Sequence, residues 1–283
     1  MGSKIISAGL AALLICAATS PARAQVMSKT YADGSVYEGA FVAGLQDGIG
    51  TYRQPNGFEY AGQWAGGQMQ GAGVARYPSG AVYKGTFAAS QPDGQGKITY
   101  PDGSYYEGTW AGGKITGTGR AVYVDGGMYE GGFLDGQHHG NGSLTEPSGY
   151  AYQGAWAAGR KHGSGKITYP DGAVYDGQMQ DDLPDGTGTL AAADGSQYTG
   201  TWRAGQISGQ GQLRDGNGDV YEGGFEGGLR AGVGRQTKAN GDVYVGGFAR
   251  DMRNGRGTFS GADGAVFSGT WVDGVLQGAA ELL

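Results

Sequence analysis

The sequence predicts an all-β fold, an elongated and twisted antiparallel sheet of stacked β-hairpins, on three observations. Tyrosine recurs every 23 residues without insertion or deletion, and a fixed period of this length is typical of solenoid-like repeat architectures. Each unit contains short segments in which side chains alternate with period two, and no segment has helical periodicity. Each unit also ends in Asp-Gly, Asn-Gly or Ser-Gly, dipeptides typical of tight turns.

The repeated units cover almost everything after residue 36. The tyrosine series is Tyr37, Tyr60, Tyr83, Tyr106, Tyr129, Tyr152, Tyr175, Tyr198, Tyr221 and Tyr244, with Phe267 in the next place. We number positions within a unit from 1 at these residues. Residues 37–266 then form ten units, residues 267–283 form a truncated eleventh, and residues 25–36 form an N-terminal half unit or cap.

Each unit is predicted to contain two short antiparallel strands. The first covers positions 1 to 5, where an aromatic residue, a glycine and a Phe or Trp (once Met179) alternate. The second follows the glycines at positions 8 and 12 and alternates through positions 14, 16 and 18. The glycine at position 21 indicates a turn that needs positive φ. Position 8 is also predicted to be a turn, although Ser90, Asp182 and Asp251 replace glycine there.

The glycines at positions 3, 12 and 14 predict how the aromatic side chains pack. A glycine inside a strand is normally destabilising, but here it lets a neighbouring ring lie over bare backbone. We therefore expect a ladder of Tyr and Phe or Trp packed on glycine, in a sheet roughly 100 Å long at about 4.8 Å per strand. A single layer cannot bury both faces, so an aromatic face and a mixed face are expected to be available to a partner or a second copy.

The N-terminus predicts export. Residues 1–24 resemble a secretory signal peptide, with Lys4 before an apolar run and a small-x-small cleavage site that ends at Ala24. An uncleaved anchor and lipid attachment at Cys16 are the alternatives. Cys16 is the only cysteine, so the exported chain, periplasmic or secreted, is predicted to lack disulfides.

The charge balance argues against two classes of partner. Removal of the signal takes two basic residues from the 20 in the chain and leaves 18 against 26 acidic residues, a net charge of −8. An acidic surface of this kind excludes nucleic acid as a partner and disfavours simple attraction to anionic lipid.

The motif Tyr-x-Gly-x-Phe/Trp-x-x-Gly-x-x-x-Gly-x-Gly, closed by Asp-Gly, resembles the membrane occupation and recognition nexus (MORN) repeat. The resemblance covers residues 37–283, and Tyr31-Ala32-Asp33-Gly34 forms a preceding half unit. It implies a twisted sheet of stacked hairpins with a grooved face. It also implies scaffolding, self-association or lipid association, and it implies neither catalytic residues nor a cofactor.

Histidines that depart from the repeat suggest a metal site. His139 and His162 both occupy position 11, and Asp185 occupies it in the next unit. Histidine with a carboxylate suits zinc. The alternative is that these residues, with His138 beside them, are solvated turn side chains.

Two further sets of residues are candidates for a binding face. If they are exposed, the aromatic side chains can contact a partner protein or stack on sugar rings; they are Tyr60, Trp64, Trp110, Trp156 and Trp202. Arg230 and Arg253, both at position 10 in a basic C-terminal region, can contact phosphate or an acidic partner. The sequence therefore predicts a non-enzymatic scaffold for a protein partner or a homo-oligomer at the cell envelope, with glycan or a membrane surface as the alternative ligand.

Overall fold

The computed structural model describes residues 26–282, and all regular secondary structure in that range is β-strand. The predicted signal peptide, residues 1–24, lies outside the described residues. The strands are β1 (Val26–Thr30), β2 (Val36–Val42), β3 (Leu45–Arg53), β4 (Glu59–Ala65), β5 (Gln68–Arg76), β6 (Val82–Ala88), β7 (Gln91–Thr99), β8 (Tyr105–Ala111), β9 (Lys114–Val122), β10 (Met128–Leu134), β11 (Gln137–Thr145), β12 (Ala151–Ala157), β13 (Arg160–Thr168), β14 (Val174–Gln180), β15 (Leu183–Ala191), β16 (Gln197–Arg203), β17 (Gln206–Arg214), β18 (Val220–Glu226), β19 (Leu229–Thr237), β20 (Val243–Ala249), β21 (Met252–Ser260), β22 (Val266–Val272) and β23 (Val275–Leu282).

These strands form one open antiparallel sheet, as predicted. Each strand pairs with the strand before it and the strand after it in the chain, so the sheet is a simple meander. Short loops between sequential strands permit this arrangement without any crossover. Among residues 26–282, no helix is long and apolar enough to cross a membrane.

Two-residue loops join the strands within each hairpin. Both residues of every such loop have positive φ, as a type I′ turn requires. The prediction that position 8 is a turn is confirmed, because Ser90, Asp182 and Asp251 have φ of 65°, 71° and 68°. Five-residue turns join one hairpin to the next, and their position-21 glycine also has positive φ, for example 93° at Gly57.

The second strand of each unit is longer than predicted, because it begins at position 9 rather than position 14. In the first unit Gly39 lies opposite Gly50, but Phe41 lies opposite Gln46, so β3 contains a bulge. Gly48, at position 12, lies in this bulge with φ of 79°. The assignment of position 12 to ring packing is therefore wrong: this glycine permits a bulge inside a continuous strand.

The glycines at positions 3 and 14 do lie beneath the tyrosine rings, as predicted. A Cβ added to Gly119 would lie 2.5 Å from both Oη and Cε2 of Tyr106. The Tyr106 hydroxyl donates a hydrogen bond to the carbonyl of Thr109, at 3.1 Å. The same bond from position 1 to position 4 recurs in all ten units, at 2.7 to 3.1 Å. Each ring is thus held flat on the sheet.

The rings at position 5 join neighbouring units. The ring of Tyr106 meets Trp110 of its own unit at 5.7 Å and Phe133 of the next unit at 4.9 Å, both edge to face. This arrangement is favourable for aromatic pairs. Met179 interrupts the series of rings but remains in the same core, with only 2% of its surface exposed.

Candidate interaction groove

The predicted aromatic binding face is closed by its own side chains. Trp64, Trp110, Trp156 and Trp202 are only 5 to 8% exposed, and Tyr60 is completely buried. Each of these indoles donates its N–H to a glycine carbonyl of the preceding unit, at 3.1 to 3.3 Å. These five residues do not form an open face, because flat tyrosine rings and edge-on indoles cover one another, but Trp64 and Trp202 line the two cavities described below.

Burial also removes the repeated tyrosines from acid–base chemistry. It raises the pKa of Tyr60, Tyr83 and Tyr106 to about 12. Their hydroxyls stay protonated at neutral pH and keep donating to the position-4 carbonyls. The tyrosine series is therefore architectural.

The side chain at position 10 forms a layer above the tyrosine rings. Lys161 lies over the rings of Tyr150 and Tyr152, with its Nζ 5.0 and 5.7 Å from their centroids. His138 stacks on Tyr129 at 3.6 Å with an angle of 11° between the planes. This layer is not evident in the sequence because its members share no chemical type: they are Gln46, Met69, Pro92, Ile115, His138, Lys161, Pro184, Ile207, Arg230, Arg253 and Leu276.

Arg230 and Arg253 belong to this layer and are partly engaged within the sheet. Arg230 forms an ion pair with Asp251 at 3.1 Å and also donates to its carbonyl. Arg253 lies 4.7 Å from the ring centroid of Tyr244 and donates to Gln236. This arrangement gives little support to phosphate binding.

Two cavities lie on the aromatic face, between the position-10 side chains and the five-residue turns, and we call the strip of surface that runs past these turns from one cavity to the other the groove. One cavity of about 550 Å³ lies near the N-terminus, and one of about 530 Å³ lies near β13 to β16. Each cavity is lined by a position-5 tryptophan, Trp64 or Trp202, and by further positions whose residues vary between units. Positions 10, 16 and either 18 or 22 are filled by Gln46, Tyr52 and Phe58 in the first and by Pro184, Leu190 and Tyr169 in the second.

Aromatic side chains at positions 18 and 22 follow one edge of the groove. Each of the first seven five-residue turns carries one, and the following four turns carry none. We call these residues the aromatic stripe: Tyr31, Phe58, Tyr77, Tyr100, Tyr123, Tyr150 and Tyr169. Tyr100 and Tyr123 are 40% and 37% exposed, unlike the tyrosines at position 1. The stripe is hard to recognise in the sequence, because two of its members, Phe58 and Tyr150, lie at position 22 and the others at position 18.

The histidines do not form a metal cluster with Asp185. His139 and His162 are exposed, whereas the Asp185 carboxylate accepts a hydrogen bond from the backbone N–H of Ala204 at 2.9 Å. Asp47 and Asp93, at the same position, also accept from the loop of the next unit. Throughout residues 26–282, no three His, Cys, Asp or Glu side chains are grouped to hold a metal ion.

His138 is structural and uncharged at neutral pH. Its Nε2 lies 2.6 Å from the hydroxyl of Tyr123, and its ring meets Trp156 edge to face at 4.8 Å. Burial lowers the pKa of His138 to about 4. The aromatic surroundings thus stabilise the neutral imidazole.

The opposite face of the sheet is mainly polar, with a few exposed apolar side chains such as Ile49 and Val233. The acidic residues of position 2 are exposed there, including Glu38 and Glu107. Two of them form surface ion pairs with a neighbouring strand, Glu38 with Arg53 at 2.8 Å and Glu107 with Lys97 at 3.3 Å. Exposed pairs of this kind contribute at most about 1 kcal/mol each, so they add little to the stability of the sheet.

The fold and its groove define an open repeat array of stacked β-hairpins. The MORN repeat family model matches residues 37–58, 60–82, 83–105, 106–128, 129–149, 152–174, 175–197, 198–220, 221–243 and 244–266. These ranges comprise well over half of the chain. The chain therefore belongs to the MORN repeat family, and it is a repeat scaffold of the kind used for interactions.

Similarity to individual proteins is local or low. A segment of 52 residues is 48% identical to Alsin of Rattus norvegicus and 46% identical to Alsin of Homo sapiens, which is 17% of this chain and 3% of each relative. The chain thus matches only a small part of these relatives.

Two solved structures resemble the fold at 17% identity. The TCP10 domain of Danio rerio CPAP, in complex with a peptide of STIL, has a TM-score of 0.38 over 91% of this chain and 97% of that chain. The TCP domain of SAS-4 of Drosophila melanogaster has a TM-score of 0.34 over 55% and 85%.

Proposed function

We propose that this protein is a non-enzymatic scaffold at the cell envelope and that its groove binds an extended segment of a partner protein or of a second copy. The envelope location rests on the signal peptide expected in residues 1–24. The sheet supplies a support about 100 Å long at about 4.8 Å per strand, and the groove follows its first seven turns.

The observation that carries the proposal is the separation of constant from variable positions. The constant residues, such as Tyr106 and Gly119, pack beneath the surface and hold the sheet together. The variable residues at positions 10, 16, 18 and 22 line the groove, where a ligand can reach them. Specific recognition requires surface residues that differ between units. On the aromatic face, such residues lie in the groove.

Site-specific photocrosslinking in intact cells tests the proposal. A photoreactive phenylalanine analogue replaces Tyr100 in the groove or, as the matched control, Thr118, which is exposed on the polar face. We expect a discrete crosslinked species from position 100 and none, or a different one, from position 118. Equal patterns from both positions, or no crosslink at position 100, would refute binding in the groove.

Processing of the N-terminus tests the location. We expect the protein from the envelope fraction to begin at Gln25, because cleavage is predicted after Ala24. An unprocessed chain that remains in the cytosolic fraction would refute the envelope role and leave binding in the groove unaffected.

A further inference from the structure

The three central residues of the aromatic stripe are evenly spaced. Tyr77, Tyr100 and Tyr123 occupy position 18 in consecutive units, two strands apart, so they recur every 9.6 Å or so, twice the spacing of adjacent strands. The turns that carry them are stacked closely: a Cβ added to Gly80 would lie 3.0 Å from Cγ of Pro101 in the next turn. This part of the groove therefore presents aromatic rings at a fixed interval.

The interval matches one form of extended peptide. A polyproline II helix has three residues per turn and rises about 3.1 Å per residue, so it repeats every 9.3 Å or so. A β-strand presents the same face about every 6.7 Å, and an α-helix has a pitch of about 5.4 Å. Of these three conformations, only the polyproline II helix places every third peptide residue opposite the tyrosine of each successive unit.

The chemistry of the stripe also fits proline. Grooves lined with aromatic rings bind proline-rich segments, whose preformed conformation reduces the entropy lost on binding. Tyr100 and Tyr123 are 40% and 37% exposed, so proline rings can pack between them. The position-1 tyrosines cannot serve in this way because they are buried.

Acidic residues beside these tyrosines indicate which charge a bound peptide should carry. Asp102 and Asp125 follow Tyr100 and Tyr123 by two residues, and both are exposed. Hydrogen bonds from Ser104 keep the pKa of Asp102 below its ordinary value, so this carboxylate is ionised at neutral pH. A segment that carries Arg or Lys between its prolines is therefore complementary to this edge of the groove.

We infer that Tyr77, Tyr100 and Tyr123 bind a proline-rich, Arg- or Lys-bearing segment of a partner protein in the polyproline II conformation. This inference rests on the proposed function and names the chemistry of its partner. Binding is confined to the first seven turns, since position 18 of the later turns holds Ala192, Asp215, Lys238 and Gly261.

Fluorescence anisotropy with the full-length protein and labelled peptides tests the inference. The probe is a twelve-residue peptide of four Pro-Pro-Arg triplets, and the control peptide has Gly-Gly-Arg triplets with the same charge. We expect the proline peptide to bind at least about tenfold more tightly, because the glycine peptide must lose more backbone entropy to adopt the extended form. Equal affinity for both peptides would show that only charge is recognised and would overturn the inference.

Variants at position 18 locate the site. We expect Tyr100→Ala to weaken binding of the proline peptide about tenfold, a typical effect for an aromatic hot spot. Tyr100→Phe keeps the ring and is expected to keep the affinity, which separates loss of binding from loss of fold. Lys238→Ala, at the same position in a turn without an aromatic residue, is expected to change the affinity less than twofold.

Three results would contradict the inference. The first is an unchanged affinity for the proline peptide in Tyr100→Ala, and the second is an equal loss of that affinity in Lys238→Ala. The third is binding of the sugar oligomer chitohexaose, as a glycan probe, without binding of the proline peptide. Crosslinks from position 100 in cells, without any preference for the proline peptide, would overturn this inference while supporting the proposed function.

Discussion

Gly119→Ala tests how the fold depends on the contact between tyrosine and glycine. The new Cβ would lie 2.5 Å from Oη and Cε2 of Tyr106, too close for either atom to remain in place. The ring is also confined by Trp110 and Phe133, at 5.7 and 4.9 Å, so it cannot move without disturbing both neighbours. The substitution therefore strains the junction between two units.

The expected loss of stability follows from these contacts. Overpacking a well-packed core costs about 1–3 kcal/mol, and loss of the buried hydrogen bond from Tyr106 to Thr109 adds about 1 kcal/mol. We therefore expect a decrease of about 2–4 kcal/mol in the free energy of unfolding.

Urea denaturation followed by tryptophan fluorescence measures this decrease, and hydrogen exchange locates it in β8 to β11. Thr118→Ala, on the exposed face of the same strand, is the control and should change stability by less than about 0.5 kcal/mol. In a Tyr106→Leu background, Gly119→Ala should cost less, because the clashing ring is absent. A loss below about 0.5 kcal/mol for Gly119→Ala alone, or equal losses in both backgrounds, would refute the reasoning.

Three further substitutions probe other contacts. Trp156→Phe should lower the free energy of unfolding by about 1 kcal/mol, the size of the lost indole hydrogen bond, as measured by urea denaturation; no loss would indicate that this bond contributes nothing. Ala158→Gly should raise the midpoint of denaturation, because Ala158 has φ of 48° in a type I′ turn; a lower midpoint would contradict this reason. His138 has a pKa lowered from 6.5 to about 4 by burial, so the folded state disfavours its protonation, and stability should fall as pH decreases from about 6.5 towards 4. Melting temperatures of wild type and His138→Gln across this range should differ in slope, and parallel curves would exclude the histidine as the cause.

The strands and turns were predictable because they depend on local chemistry. A fixed interval of 23 residues, alternation around the glycines and the Asp-Gly turns define the hairpins without any information from distant residues. The bulge was not predictable from Gly48 alone, since a glycine inside a strand is equally consistent with ring packing, a bulge or a strand end.

The burial of the aromatic face depended on side-chain orientation, which the sequence does not specify. Trp64 and Trp110 alternate with glycine like residues on an open face, but their indoles lie against the neighbouring tyrosines. The groove was missed for a related reason. Its lining comes from positions without a shared residue type, and periodicity detects only what recurs.

Met179 has a mechanical consequence. Elsewhere each position-1 tyrosine packs against an aromatic ring of the following unit, as Tyr175 does against Trp202. The following unit presents the thioether of Met179 to Tyr152 instead. In a linear array, each junction transmits tension to its neighbours alone, so the weakest junction yields first. If a bound partner pulls on the protein, we expect the array to yield first between Tyr152 and Met179, because this junction has the strand pairing of the others but lacks their edge-to-face ring pair.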